Sequence, residues 1–247
     1  MVAISLSIET LEHPGAWARL SRLLSPCPSI KLHSPTSTSR HQVTRYIAGQ
    51  FHAAHGASIR DFMPLLLTLD CRSHFSAAVG ARSAAARPLF LEQYLPQPVE
   101  AVLSTLAGQP VARRQVVELG NLVATQSGSS QLLFLLLTAM LSRTRFEWVV
   151  FTATPQVQKA VERLGIELHV LQDADPSRLD AAELSDWGSY YENRPRVMAS
   201  KLSAAMTKLT AHKRYTLILG LFENQIAALA PRLEGGKRGC GNHVVAA

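Results

Sequence analysis

Glu118 is the residue in this chain best placed to do chemistry. It interrupts an apolar run, with Val116, Val117, Leu119 and Leu122 around it. A carboxylate amid hydrocarbon costs free energy unless it is paired or neutral, and burial raises its pKa toward the range of a general base. The structural alternative is an ion pair with an arginine such as Arg82 or Arg114. Gly120 favours the chemical reading, because glycine inside a strand often marks a bulge beside a site. Strict alternation puts Glu118 and Asn121 on opposite faces, and a bulge at Gly120 would bring them together.

A second cluster lies immediately downstream. Thr125-Gln-Ser-Gly-Ser-Ser130 is a small, polar loop between a strand over 115–124 and an apolar helix over 131–142. Such a loop gathers unpaired N–H groups at the positive end of a helix dipole, which suits phosphate. Gly128, Ser129 and Ser130 would supply those groups, for a nucleotide-tailed or phosphopantetheine-tailed ligand. The bland reading is an ordinary strand-to-helix connection with a serine cap. The loop has no Walker lysine and no GxGxxG, and the chain has no GxSxG nucleophile elbow. His52 and His55 could share a helix face, but without HExxH or a third ligand nearby no metal site is expected. Trp187, Tyr190 and Tyr191 form either the wall of an acyl or amine pocket or an edge of the core.

The elements that must position these residues alternate in type. A strand over 146–152, a helix over 155–164 between Thr154 and Gly165, and a strand over 166–171 complete a βαβα pattern. Upstream, Val43, Ile47 and Phe51 predict a helix over 41–55 capped by Gly56. A hairpin over 64–70 and 76–82 follows, then the segment 89–95 between prolines and a short helix over 98–106. Met198, Leu202, Ala205, Met206 and Leu209 predict an amphipathic helix, and 217–230 a further one. Pro26, Pro28 and Pro35 make 1–39 a flexible entry segment, 235–247 reads as a frayed tail, and 40–234 as a single domain.

Of the 247 residues, 47% are hydrophobic and 17% charged, enough for a full core in one domain. The net charge of +7 suits an acidic partner or an anionic cofactor. Basic residues come only in pairs such as Arg113-Arg114, without a stripe of interleaved aromatics, so nucleic acid is not an expected partner. Cys27, Cys71 and Cys240 form no CxxC, as in a reducing compartment. No signal segment and no run of ~20 apolar residues is visible, so no stable membrane insertion and a cytoplasmic location are expected.

Four stretches resemble the thermostable hemolysin family: Leu89-Phe-Leu-Glu-Gln-Tyr-Leu95, Val117-Glu-Leu-Gly-Asn-Leu122, Trp148-Val-Val-Phe-Thr-Ala153 and Trp187-Gly-Ser-Tyr-Tyr191. The order of elements, with a helix ending in Glu162-Arg-Leu-Gly-Ile166, is similar to the acyl-CoA-binding half of the GNAT N-acyltransferase fold. More distantly, Val79-Gly-Ala-Arg82 and Val117-Glu-Leu-Gly-Asn121 resemble strands of acyl-homoserine lactone synthases, with Asn121 standing where those enzymes carry an arginine. Thr125 and Ser130 also depart from the GNAT Gln/Arg-x-x-Gly-x-Gly/Ala signature.

These resemblances imply an α/β (α+β) fold: a GNAT-like, mostly antiparallel twisted sheet flanked by helices, with a V-shaped splay between its two central strands. They imply an N-acyltransferase that moves a fatty or related acyl group from acyl carrier protein or acyl-CoA to the amine of a small acceptor. No cofactor is expected to bind tightly; acyl-CoA or acyl-phosphopantetheine is the co-substrate. Glu118 and Asn121 would be catalytic, Leu122 and Val123 would offer backbone donors to the thioester, and Gly128, Ser129 and Ser130 would hold phosphate. Arg82, Glu92, Tyr94, Trp187 and Tyr190 would contact substrate, Arg82 through an acceptor carboxylate. The family name suggests another class, a hemolysin acting directly on membranes.

Overall fold

The computed structural model describes residues 28–71, 74–125 and 128–234, and among these seven strands join in one sheet. They are β1 (Ser29–His33), β2 (Leu65–Cys71), β3 (His74–Ser83), β4 (Val116–Ala124), β5 (Trp148–Ala153), β6 (His169–Asp173) and β7 (Arg196–Lys201). Their spatial order is β1-β2-β3-β4-β5-β7-β6. Every neighbouring pair is antiparallel except β4 and β5. That exception follows from the connection: a helix crosses over between them, which returns the chain in the same direction.

The crossover is α3 (Ser129–Leu141), apolar on all sides and buried from Leu132 to Leu141. It has no polar face because it lies between the sheet and three C-terminal helices, α6 (Leu202–Ala211), α7 (Lys213–Leu221) and α8 (Glu223–Leu229). Val117, Leu119, Val149 and Phe151 meet α3 from the sheet. The opposite face carries α1 (Arg40–His55), whose Val43, Ile47 and Phe51 are buried, and which ends at Gly56 with φ +67. That face also holds α2 (Val99–Ala107) and a 3-10 turn at Phe90–Tyr94. α4 (Pro155–Glu162) follows β5, and α5 (Ala181–Asp186) precedes an aromatic loop at 187–191. Among the described residues no helix is long and apolar enough to cross a membrane.

Two segments differ from what the sequence pattern predicts. The helix expected from Met198 begins only at Leu202, because Arg196–Lys201 is β7, inserted between β5 and β6. Val197 and Ala199 join one core and Met198 the other, a period of two that the helical spacing of later residues had masked. Residues 29–33 form the edge strand β1, where prolines predicted an irregular entry segment. Pro28 precedes that strand and Pro35 follows it, so they bound the element instead of breaking it. The helix expected over 217–230 is two, parted at the buried Phe222. The remainder of the expected entry segment and the tail over 235–247 lie outside the described residues.

Glu92 knots the 3-10 turn to its surroundings. Its carboxylate accepts the N–H groups of Leu89 and Val99 at 2.7 and 3.0 Å. It also receives Arg113, at 2.6 and 2.7 Å, whose guanidinium reaches Glu100 as well. These donors outweigh burial and hold the Glu92 pKa at about 2. A carboxylate held that low stabilises the fold fully above its unfolded value near 4.5 and ceases to do so as pH falls toward 2. Glu92→Gln is therefore expected to lose about 2 kcal/mol at neutral pH. In urea unfolding at stepped pH, the gap between the two proteins should close below pH about 4; a gap independent of pH would remove the charge from the account.

Candidate active site

The central parallel pair comes apart halfway along. β4 and β5 are in register from Val116 opposite Trp148 to Leu119 opposite Phe151, and no further. Beyond that point β4 stays with β3, and β5 stays with β7. The cause lies on the β3 side. Ala78 faces Val123 and Gly80 faces Gly120, so Asn121 and Leu122 together oppose the single residue Val79. This bulge bends and overtwists β4, with Asn121 in the left-handed region at φ +51. Asparagine tolerates that conformation better than most residues. The bulge sits one residue beyond the glycine that announced it.

A cleft of about 1180 Å³ opens where the strands part. One arm follows the splay, along Leu122, Val123, Gly128 and Ser130 on one wall and Thr152 and Thr154 to Val157 on the other. Gly128 caps α3 at φ +91, and the helix ladder begins with Leu132 N–H on the Gly128 carbonyl. The N–H groups of Ser129, Ser130 and Gln131 thus stand outside the ladder, at the positive end of the helix. Ser129 itself does not line the cleft; its hydroxyl is buried without a partner among the described residues.

Glu118 lies at the floor, 2% exposed, one residue before the β4–β5 pairing ends. Its Oε2 accepts Arg82 Nε at 3.0 Å and the adjacent Nη2, and its Oε1 accepts the Leu91 N–H at 3.1 Å. Arg82 is directly opposite in the β3–β4 register, so the ion pair is set by the sheet itself. Burial pushes the Glu118 pKa up against the pull of Arg82. The ion pair expected as the structural reading of Glu118 is present, and the residue also lines the cleft. Arg82 lines the cleft too, with its guanidinium engaged by Glu118.

Asn121 also lines the cleft, and its amide is a clasp. Its Oδ1 accepts the Met63 N–H at 2.8 Å, and its Nδ2 donates to the Asp61 carbonyl at 3.3 Å. This fixes the segment between α1 and β2 across the mouth. The Met63 side chain lies flat over two glycines that face each other across the strands. A Cβ at Gly80 would meet Met63 Cβ at 2.5 Å, and one at Gly120 would meet its Cε at 2.6 Å. Sequence reasoning missed Met63; the signal was the register itself, since paired glycines on adjacent strands mark a close approach.

The second arm is aromatic. Trp187 stands 5.0 Å from Tyr190, 5.8 Å from Phe90 and 6.1 Å from Phe51, ring centre to ring centre. Burial raises the Tyr190 pKa. The loop that carries these rings is laced to the end of α1. Ser58 N–H donates to the Asp186 carbonyl at 2.7 Å, and Ser189 N–H to the His55 carbonyl at 2.9 Å. Gly188, at φ +53, lies so near that a Cβ would meet the His55 oxygen at 2.1 Å. Tyr94 is behind this wall, bonded to the Tyr191 hydroxyl at 2.5 Å, and neither it nor Glu92 lines the cleft. His55 packs against Tyr190, and no group of three potential metal ligands occurs among the described residues.

An open mixed sheet that splays at a bulged, parallel central pair defines a GNAT-like fold. The chain belongs to the thermostable hemolysin family, whose sequence profile matches residues 33–206. No curated protein matches the sequence. Among solved structures, TofI in an apo form is similar with a TM-score of 0.51 at 11% identity, over 76% of this chain and 99% of TofI. FeeM, an N-acyl amino acid synthase from uncultured soil microbes, gives 0.49 at 12% identity, over 73% and 95%. The acyl-homoserine lactone synthase LasI gives 0.47 at 12%, over 71% and 90%. At 11% identity the likeness to TofI is one of fold.

The buried pair yields a stability test. Arg82→Met strands the Glu118 carboxylate and is expected to cost about 3–5 kcal/mol. Adding Glu118→Gln, which keeps an acceptor for Leu91, should recover most of that loss in chemical denaturation. A double variant as unstable as the single one would mean the pairing is not what matters.

Proposed function

We propose that the protein is an N-acyltransferase that moves a fatty or related acyl group from a thioester to the amine of a small acceptor. The observation that carries this reading is the parted β4–β5 pair, opening a cleft onto a buried carboxylate. Donor and acceptor reach the gap from its two arms. A pantetheine arm is a chain of amides, and the half of β4 that has lost β5 offers it a vacant sheet edge. Its phosphate end is served by the N–H groups of Ser130 and Gln131, which line the cleft. The charge of +7 suits either the phosphates of coenzyme A or an acidic carrier protein.

The reacting carbonyl then lies by the bulge, where peptide groups near Leu122 and Val123 stabilise the developing oxyanion. The amine enters along the Trp187–Tyr190 wall. Its nitrogen attacks the carbonyl carbon, Glu118 takes the ammonium proton directly or through one water, and the carbon–sulfur bond breaks to release a thiolate that is protonated in turn. Arg82 is a positioning residue in this scheme: it fixes the carboxylate, and its charge keeps the raised Glu118 pKa from climbing out of range. Turnover rises as pH passes through that raised pKa, because the base must be ionised to act.

Purified protein is to be given octanoyl-CoA or octanoyl-acyl carrier protein with a panel of small amines, and products read by mass spectrometry. An acyl amide is expected with one donor, and Glu118→Gln should lower kcat by about a hundredfold or more while leaving donor Kd unchanged. Unchanged turnover removes Glu118 from the mechanism. No amide with either donor, together with leakage of liposomes by the protein alone, sinks the transferase reading.

A further inference from the structure

The ion pair and the glycine pair are consecutive on the same face of the sheet. Arg82 faces Glu118, Gly80 faces Gly120, and residues two apart along a strand point the same way, about 7 Å apart. Met63 therefore lies one step from the carboxylate, over the spot where β4 leaves β5. Its backbone is pinned at both ends, by Asn121 on its N–H and by Arg40 on its carbonyl at 2.7 Å. Its side chain is half-buried and lines the cleft. Only that unbranched thioether can yield, and it lies over the glycine pair, one step along the sheet from Glu118.

We propose that Met63 sets acceptor selectivity: its thioether end occupies the space that a second substituent on the amine-bearing carbon needs, so the acceptor is a primary amine with an unbranched CH2 next to nitrogen. This rests on the transferase reading for its chemistry. An amine that hands a proton to Glu118 has its carbon alongside the Met63 methyl group. The two glycines give the methionine its seat, and a side chain on either would push it further into the cleft.

Calorimetric titration of hexylamine and α-methylhexylamine into the full-length protein tests the idea by the ratio of the two Kd values. The wild type should prefer hexylamine. Met63→Ala should shrink that preference about tenfold, the scale of one methyl group in a fitted pocket. Met63→Leu, which conserves volume and guards against misfolding, should keep the preference. Gly120→Ala should enlarge it, since the new Cβ drives the Met63 methyl toward the acceptor. A ratio that moves in neither Met63→Ala nor Gly120→Ala, or the failure of both amines to bind, overturns the proposal. The same amines run in the transfer assay separate the two ideas. A shifted Kd ratio without any acyl amide defeats the transferase reading alone, and amide formation with an unmoved ratio defeats the role of Met63 alone.

Discussion

Where β4 leaves β5, the molecule forgoes ladder hydrogen bonds in the middle of its sheet, the place where most folds complete them. The loss is tolerable only because something holds the strand in its diverging course. Asn121 does this from three directions: its left-handed backbone makes the bulge, its Oδ1 holds Met63, and its Nδ2 holds Asp61. The parallel pairing contributes as well. A crossover helix can leave from one wall of a gap, whereas a tight hairpin would have pulled the two strands together.

At the closed end of the gap, Arg82 and Glu118 illustrate a second constraint. A buried ion pair adds little to stability, but removal of either member leaves a desolvated charge. The register of β3 and β4 places the two directly opposite, so no long side chain need search for its partner. Leu91 adds a backbone donor to the other carboxylate oxygen, which fixes its orientation. Glu118 is thus held in place as well as raised in pKa.

Much of this was legible in the residues. Glu118 declared itself by sitting among valines and leucines, Gly120 by breaking a strand, and the Ser/Gly run by preceding an apolar helix. The helix over 40–55 could be placed from three buried positions and a glycine. What eluded the sequence had a common cause, which is dependence on a distant strand. β7 is a strand because β5 and β6 flank it, and its six residues join a following helix without a turn. Glu92 reads as a substrate contact in the sequence, whereas Arg113, 21 residues on, engages its carboxylate. Met63 carries no charge and matches no motif; only the pairing of Gly80 with Gly120 gives it meaning.

The lacing between the end of α1 and the aromatic loop has an implication for how this scaffold can change. Two of its hydrogen bonds run from main chain to main chain, and a third from the Ser189 hydroxyl to the His55 carbonyl at 3.3 Å, all across more than a hundred residues of sequence. Apart from Gly188 and the Ser189 hydroxyl, such a seam is blind to side-chain identity. Phe51, His55, Trp187 and Tyr190 can therefore be exchanged for other shapes while the two segments stay stitched together. The backbone frame of the aromatic wall and the side chains it displays are separately adjustable, so the shape of that arm can change while its frame stays fixed.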